Sequence, residues 1–253
     1  MPKNINSAYR IREILNAAKG KQDKTPVHEV WADIFQIEEK DQHKKNFAIS
    51  RCLADLHDEV ELVRSEMIKL GFSDNLYASS LNKCNSVFAV QTVMGQWQSP
   101  KQQITPEVPI VLGFCSEILP NEEDLVDKEN LDELKRMASD LRECLNTSEL
   151  PTYTKSIIEK HLGKIEEAIT KYKAVGAKAL EEVMQSAYGE VVANETVFEE
   201  ARGSEELGKL SAMWQKTKSV LDGVVSINKR LGACQGMAEK GLRVIEFLEH
   251  INL

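Results

Sequence analysis

Aromatic residues are scarce in this chain, at 6% of 253 positions, and turn-forming residues are few, at 13 glycines and 7 prolines. An all-β fold of many short strands needs more punctuation than that, so it is excluded. Nowhere does an apolar run long enough for a membrane-spanning helix go uninterrupted by charge. The leading Met1-Pro2-Lys3-Asn4 opens onto polar residues with no apolar stretch behind it, and no secretory signal is expected there. Cys52, Cys84, Cys115, Cys144 and Cys234 are odd in number, far apart, and never spaced Cys-x-x-Cys. That removes zinc ribbons and thioredoxin-like redox chemistry. Buried free thiols in a reducing compartment are the natural reading, and cytoplasm is the expected location.

The familiar catalytic constellations are missing too. Gly20-Lys21 lacks the upstream glycine and the following hydroxyl of a phosphate-cradling loop. There is neither a dinucleotide fingerprint nor a Gly-x-Ser-x-Gly nucleophile turn. None of His28, His43, His57, His161 and His250 has a second histidine three or four positions away, and no Glu-x-x-His pair occurs. Metal–ligand spacing is set by bond geometry, so no metal is expected, and no other cofactor motif is found. A formal charge of −8 argues against a surface that neutralises many phosphates, so direct nucleic-acid binding is not expected.

What the chain does contain is helical rhythm. Ile11, Ile14, Leu15 and Ala18 form one stripe, which predicts a helix over Ala8–Lys19 with Ser7 as its N-cap and Gly20 as its end. Thr25-Pro26 reads as an N-cap followed by proline at the first helical position, opening a helix that buries Val27, Val30, Trp31, Ile34 and Phe35. Ile49, Leu53, Leu56, Val60, Val63, Met67 and Leu70 alternate spacings of four and three until Gly71. Read as a coiled-coil seam, this helix would place Glu59 and Arg64 where they could pair across a dimer. Read as a core helix, it needs a wider stripe, which Leu62 and Ile68 would supply, and the bundle is preferred.

Past Tyr77, Leu81, Cys84 and Phe88 the β-branched run Val87–Val93 fits either a helix end or a short strand. Gly95-Gln96-Trp97-Gln98-Ser99-Pro100-Lys101-Gln102-Gln103 is the best loop candidate, and Thr105-Pro106 starts an apolar element ending at Leu119-Pro120, its first turn made irregular by Pro109. An acidic helix with Leu131, Leu134, Ala138, Leu141 and Leu145 inside comes after Asn121. Leu150-Pro151 divides an N-terminal helical part, 1–150, from a C-terminal part, 151–253, with a single continuous domain as the alternative. Ile158, Leu162, Ile165, Ile169, Tyr172, Gly176, Ala179 and Val183 keep register as one long helix near 152–190, with Gly176 a place of close approach rather than a stop. A C-terminal hairpin around Gly232 closes an all-α, irregular bundle of about eight or nine helices.

Function then rests on surfaces. Residues 117–150 hold eleven acids against four bases, a net of −7, so one segment carries most of the total charge. Glu122, Glu123, Asp124 and Asp127 are candidate contacts for a partner protein with a basic surface. Trp97, in its Gln-rich stretch, must either fold back or meet a partner, and is the other contact candidate. His57-Asp58-Glu59 is read first as a solvated helix edge, His161 as a hydrogen-bonded boundary residue, and Glu166-Glu167 and Glu181-Glu182 as faces paired with Lys164, Lys171 and Lys178. Gly232-Ala233-Cys234-Gln235-Gly236, flanked by basic residues, reads as close hairpin packing, and the amphipathic C-terminal helix as a core helix rather than a membrane-surface one.

Glu29-Val30-Trp31-Ala32-Asp33-Ile34-Phe35, Leu150-Pro151 and Ile165-Glu166-Glu167-Ala168-Ile169-Thr170-Lys171-Tyr172-Lys173 with Gly176 resemble segments of all-helical bacterial proteins from phage, prophage and mobile-element settings. That resemblance implies a helical fold and a part in phage–host conflict, and it carries no active site. The expectation is a non-enzymatic protein that binds another protein, with a homodimer left open. The alternative is a hydrolase-like helical enzyme whose site brings His57 or His161 against distant carboxylates.

Overall fold

The computed structural model describes residues 4–124, 126 and 128–224. Among them the chain is all-α: eleven α-helices, nine of at least seven residues, with no strand beyond an isolated bridge between Pro26 and Gln96. The expected hairpin around Gly232 lies outside the described residues. Two compact units emerge: residues 1–123 with 173–176, and residues 124–172 with 177–253.

The first unit holds α1 (Ser7–Lys19), α2 (Val27–Phe35), α3 (Gln42–Lys69), α4 (Ala78–Val87), α5 (Gln98–Gln103) and α6 (Glu107–Ile118). Helix α1 starts one residue earlier than its stripe suggests, because Asn6 rather than Ser7 caps it, its side-chain oxygen accepting from the Tyr9 amide at 3.1 Å. Helix α2 has Pro26 at the capping position with no side-chain cap, so the Val27 amide is taken by the Gly95 carbonyl instead, at 3.0 Å. The Pro26 carbonyl accepts from the Glu29 and Val30 amides, but proline has no side-chain acceptor, and a neighbouring stretch of chain completes the cap.

The heptad helix is a core helix. Helices α1, α2 and α4 pack against α3 and cover its stripe, leaving no seam for a coiled coil. The stripe is widened on the side of Cys52 and Glu59, both buried; Leu62 and Ile68, expected to widen it, are exposed, as is Leu70. The run Val87–Val93 is a helix end and then a 3₁₀ turn at Val90–Thr92, and the Gln-rich stretch forms the short α5. Pro109 leaves α6 regular, because a first-turn amide has no partner within the helix to lose.

Trp97 folds back. It is 0% exposed, its indole N–H donates to the Ala18 carbonyl at 3.1 Å, and its ring meets Trp31 edge-on at 5.3 Å. Its backbone is tied down as well, the amide donating to the Thr25 carbonyl at 2.9 Å. Trp97 is therefore a core residue with no surface for a partner, since irregular sequence around an indole does not keep so large an apolar body in water.

The second unit holds α7 (Lys128–Thr147), the greater part of α8 (Thr152–Val175), α9 (Lys178–Ala193), α10 (Glu195–Glu200) and α11 (Glu205–Val224). Leu150-Pro151 lies inside this unit, in the α7–α8 loop. Helix α11 packs on α7 and α9. Leu134, Leu141, Ile158, Leu162, Ile165, Leu180, Leu207, Leu210 and Trp214 are all buried. The single long helix expected over 152–190 is two. Gly176 adopts φ +69, a left-handed conformation that ends α8, and α9 begins two residues later.

Replacing Trp97 with alanine should cost about 3–5 kcal/mol, read as a lowered urea midpoint of the first unit. Trp97→Phe should lose less, because the ring contact with Trp31 survives and only the bond to Ala18 is gone.

Candidate functional site

The most concentrated chemistry in the first unit surrounds Arg10, and the local sequence explains why. Arg10 stands in register with the apolar stripe of α1, three residues after Ser7 and four before Ile14, so the helix turns it inward. Glu59 does the same on α3, between Leu56 and Val63. The non-helical residues after α6 bring Glu122 and Glu123 to the same place.

One guanidinium nitrogen of Arg10 donates to Glu59 at 2.8 Å and to Glu122 at 2.6 Å; the other donates to Glu123 at 2.9 Å. Its Nε donates to the Ala174 carbonyl at 3.3 Å. Glu122 in turn accepts from the Ser7 amide at 3.1 Å and the Ser7 hydroxyl at 3.0 Å, so the residue expected to cap α1 holds this carboxylate instead. Burial alone would make the Arg10 cation easier to deprotonate, but Glu122, Glu123 and Glu59 more than offset that and raise its pKa.

The same residues stitch the chain termini of this region together. The Glu122 amide donates to the Ile5 carbonyl at 2.8 Å and the Ile5 amide to the Asn121 side chain at 2.6 Å. The Asn6 amide group reaches the carbonyls of Ser116 and Leu119 at 3.0 and 3.2 Å. Glu122 and Glu123, expected to face a basic partner, thus face inward onto Arg10. Acids flanking a buried internal cation are worth more there than in water. Asp124 is half-buried and opens the second unit, while Asp127 lies outside the described residues. Of the acids on α7, Glu133 is paired with Lys216, and Asp140 and Glu143 stay exposed.

The second unit carries a different feature. His161, in register between Ile158 and Ile165, is 0% exposed and sits edge-on to Phe198 and Trp214, with ring centroids 5.8 Å away in each case. Neither ring nitrogen has a hydrogen-bond partner among the described residues, and Nε2 stops 3.6 Å from Glu190. The sequence suggests a hydrogen-bonded boundary histidine; the ring is a core residue instead. Burial pushes its pKa down to about 4, with Glu190 pulling the other way and Lys164 and Lys160 adding to the drop. Burial also opposes the Glu190 charge, but bonds from Lys160 at 2.6 Å and Lys164 at 2.7 Å win and lower its pKa.

His161 is thus neutral at pH 7, beside a carboxylate whose Oε1 takes both ammonium groups and whose Oε2 has no hydrogen-bond partner among the described residues. A general base must meet its substrate, and this ring has no exposed surface on which to do so. His57 is at the opposite extreme, exposed, with Nδ1 3.0 Å from the Asn85 side-chain oxygen, while its neighbour Glu59 points the other way to Arg10. Lys171 and Lys178 pair with Glu167 and Glu182 along their helices, but Lys164 turns to Glu190, and Glu166 is held by Arg142. Among the described residues no cluster of three or more potential metal ligands forms, and no helix is long and apolar enough to cross a membrane.

Large apolar side chains also remain outside. On α6, Ile110 is 70% exposed and Phe114, one turn on, 41% exposed. Phe114 meets the half-buried Phe72 edge-on at 5.8 Å, and Leu70 and Leu76 on either side of Phe72 are exposed. Neither motif nor periodicity singles out this surface, although Phe114 and Ile110 share one spacing of four that α6 does not need for its core. Comparison with protein-family models, with curated proteins and with solved structures finds no match.

Arg10→Met should destabilise the first unit by about 3–5 kcal/mol, because three carboxylates then lose a buried countercharge; denaturant titration reads this directly. His161 gives a pH signature. Its folded pKa lies below the unfolded value of 6.5, so the unfolded chain binds the extra proton first. Stability contributed above pH 6.5 is therefore lost as pH falls towards 4, and His161→Leu should flatten that part of the curve of thermal midpoint against pH.

Proposed function

We propose that the protein works by binding another protein through the exposed apolar surface of its first unit, in the phage–host competition that its resemblance to phage- and prophage-associated helical proteins suggests. The observation that carries this reading is the exposed Phe114, edge-on to the half-buried Phe72, with the exposed Ile110 one turn back on α6. Contiguous exposed apolar surface on a folded domain is characteristic of interaction sites, and aromatic anchors dominate their energetics. The ionisable clusters, by contrast, are turned inward and used for packing. The partner fitting this surface presents an apolar or aromatic face of its own. A basic partner for the acids left exposed on α7 is the lesser form of the same proposal.

Affinity capture with the whole chain from bacterial and phage-infected lysates should recover a stoichiometric partner. Ile110→Asp and Phe114→Asp, both at solvent-facing positions, should cut its recovery at least tenfold while leaving the thermal midpoint within a few degrees. Undiminished recovery by both variants, or no partner from either lysate, would overturn the proposal.

A further inference from the structure

Exposed apolar side chains recur in the first unit, at the opposite end of α3 from Phe72. Phe47, in the second turn of that helix, is 67% exposed. Val90, exposed as well, opens the 3₁₀ turn that packs against α3, and Met94 just beyond that turn is 77% exposed. The Asn46 side-chain amide donates to the Met94 sulfur at 3.6 Å, which places Met94 beside the start of α3. From Phe47 to Lys69 the helix rises about 33 Å, at about 1.5 Å per residue, so this surface lies well away from that of Phe72 and Phe114.

The two surfaces differ in charge. Beside Phe47, α3 carries Lys44 and Lys45, which make no ion pair among the described residues, and it has no acid from Gln42 to Ala54. Asp41, one residue before the helix, is turned to the amides of His43 and Lys44 as its N-cap. Residues 84–106, which bring Val90 and Met94, hold no acid either. On the Phe114 surface the sign reverses. Glu107 and Glu117 stand three residues before Ile110 and three after Phe114, on one face of α6, and Asp74 lies between Phe72 and Leu76. Lys83 approaches Glu107 to 3.8 Å, Lys69 pairs with Glu66, and Arg12 on the α1 side pairs with Glu13. Asp74 and Glu117 are exposed and make no ion pair among the described residues.

We propose that the Phe47 surface of one copy of this chain docks on the Phe114 surface of a second copy, its lysines set against the carboxylates there. Each surface offers an aromatic anchor and exposed aliphatic neighbours, and the unpaired charges around them are of opposite sign. Pairing either surface with its own kind would bring unpaired like charges together, which is unfavourable, so the contact joins unlike surfaces. Such a head-to-tail contact builds rings or open chains according to the angle between successive copies. The inference rests on the reading of the Phe114 surface as an interaction site and names a second copy as its occupant.

Sedimentation velocity of the purified whole chain over a range of concentrations tests it. The wild type should associate, and Phe47→Asp and Ile110→Asp, both at solvent-facing positions, should each weaken self-association at least about tenfold. Mixed in equal amounts, the two variants should form a 1:1 dimer, because one keeps its Phe114 surface and the other its Phe47 surface. Lys44→Glu and Glu117→Lys repeat the test without touching an apolar residue: each alone should weaken association, and their mixture should recover it. A wild type that stays monomeric up to its solubility overturns the inference. So does a mixture of Phe47→Asp and Ile110→Asp that stays monomeric, or either of these variants associating as the wild type does. Capture of a different protein that is lost with Ile110→Asp, beside a purified chain that stays monomeric, sinks this inference and leaves the reading of the surface standing.

Discussion

A single guanidinium buried among three carboxylates organises the first unit. Arg10 links α1 to α3 through Glu59, to the chain after α6 through Glu122 and Glu123, and to the end of α8 through the Ala174 carbonyl. Removing an arginine from water is expensive, and the expense is offset only when each edge of the planar group finds an acceptor with good geometry. Here one side chain meets acceptors from three stretches of chain outside its own helix. The cluster therefore acts as a test of correct assembly: a misplaced element would leave a charge buried without its partner, which costs more than a misplaced leucine.

The second unit resolves the same difficulty in the opposite way. His161 escapes the cost of a buried charge by staying neutral, edge-on to Phe198 and Trp214. Glu190 stays charged because two lysines reach it from α8. Neither arrangement leaves a reactive group open to a substrate. Some apolar surface also remains: side chains of α6 and of the turn after α3 are exposed.

The helices themselves are legible in the order of residues. The stripes of α1 and α2, that of α3 as far as Met67, the apolar element of α6, the face of α7 from Leu134 to Leu145 and the end of α3 just before Gly71 all appear in the structure. The differences share a cause. The sequence shows what Ser7, Leu62, Ile68 and Gly176 can do within their own helices, whereas their roles are set by neighbours distant in sequence. Ser7 holds Glu122 and not the helix end; Gly176 turns left-handed as the chain passes Glu123. Trp97 stands out in the sequence for the polarity of its surroundings, but Trp31 and the carbonyl of Ala18 decide where it sits.

The spacing of apolar side chains by itself determined that this chain is a set of packed helices, because a period near 3.6 leaves an amphipathic chain no other way to bury its apolar face. The polar sites were a different matter. Arg10, Glu59 and His161 each sit in register with an apolar stripe, but their polarity made a solvated edge the expected place for Glu59 and a boundary the expected place for His161, and neither their burial nor their partners followed from the periodicity. Which carboxylate meets which cation depends on how helices cross and where loops return, and those are long-range facts that only the tertiary structure supplies. The same holds for Ile110 and Phe114: a helix shows which residues share a face, and only the assembled fold shows which face is left uncovered.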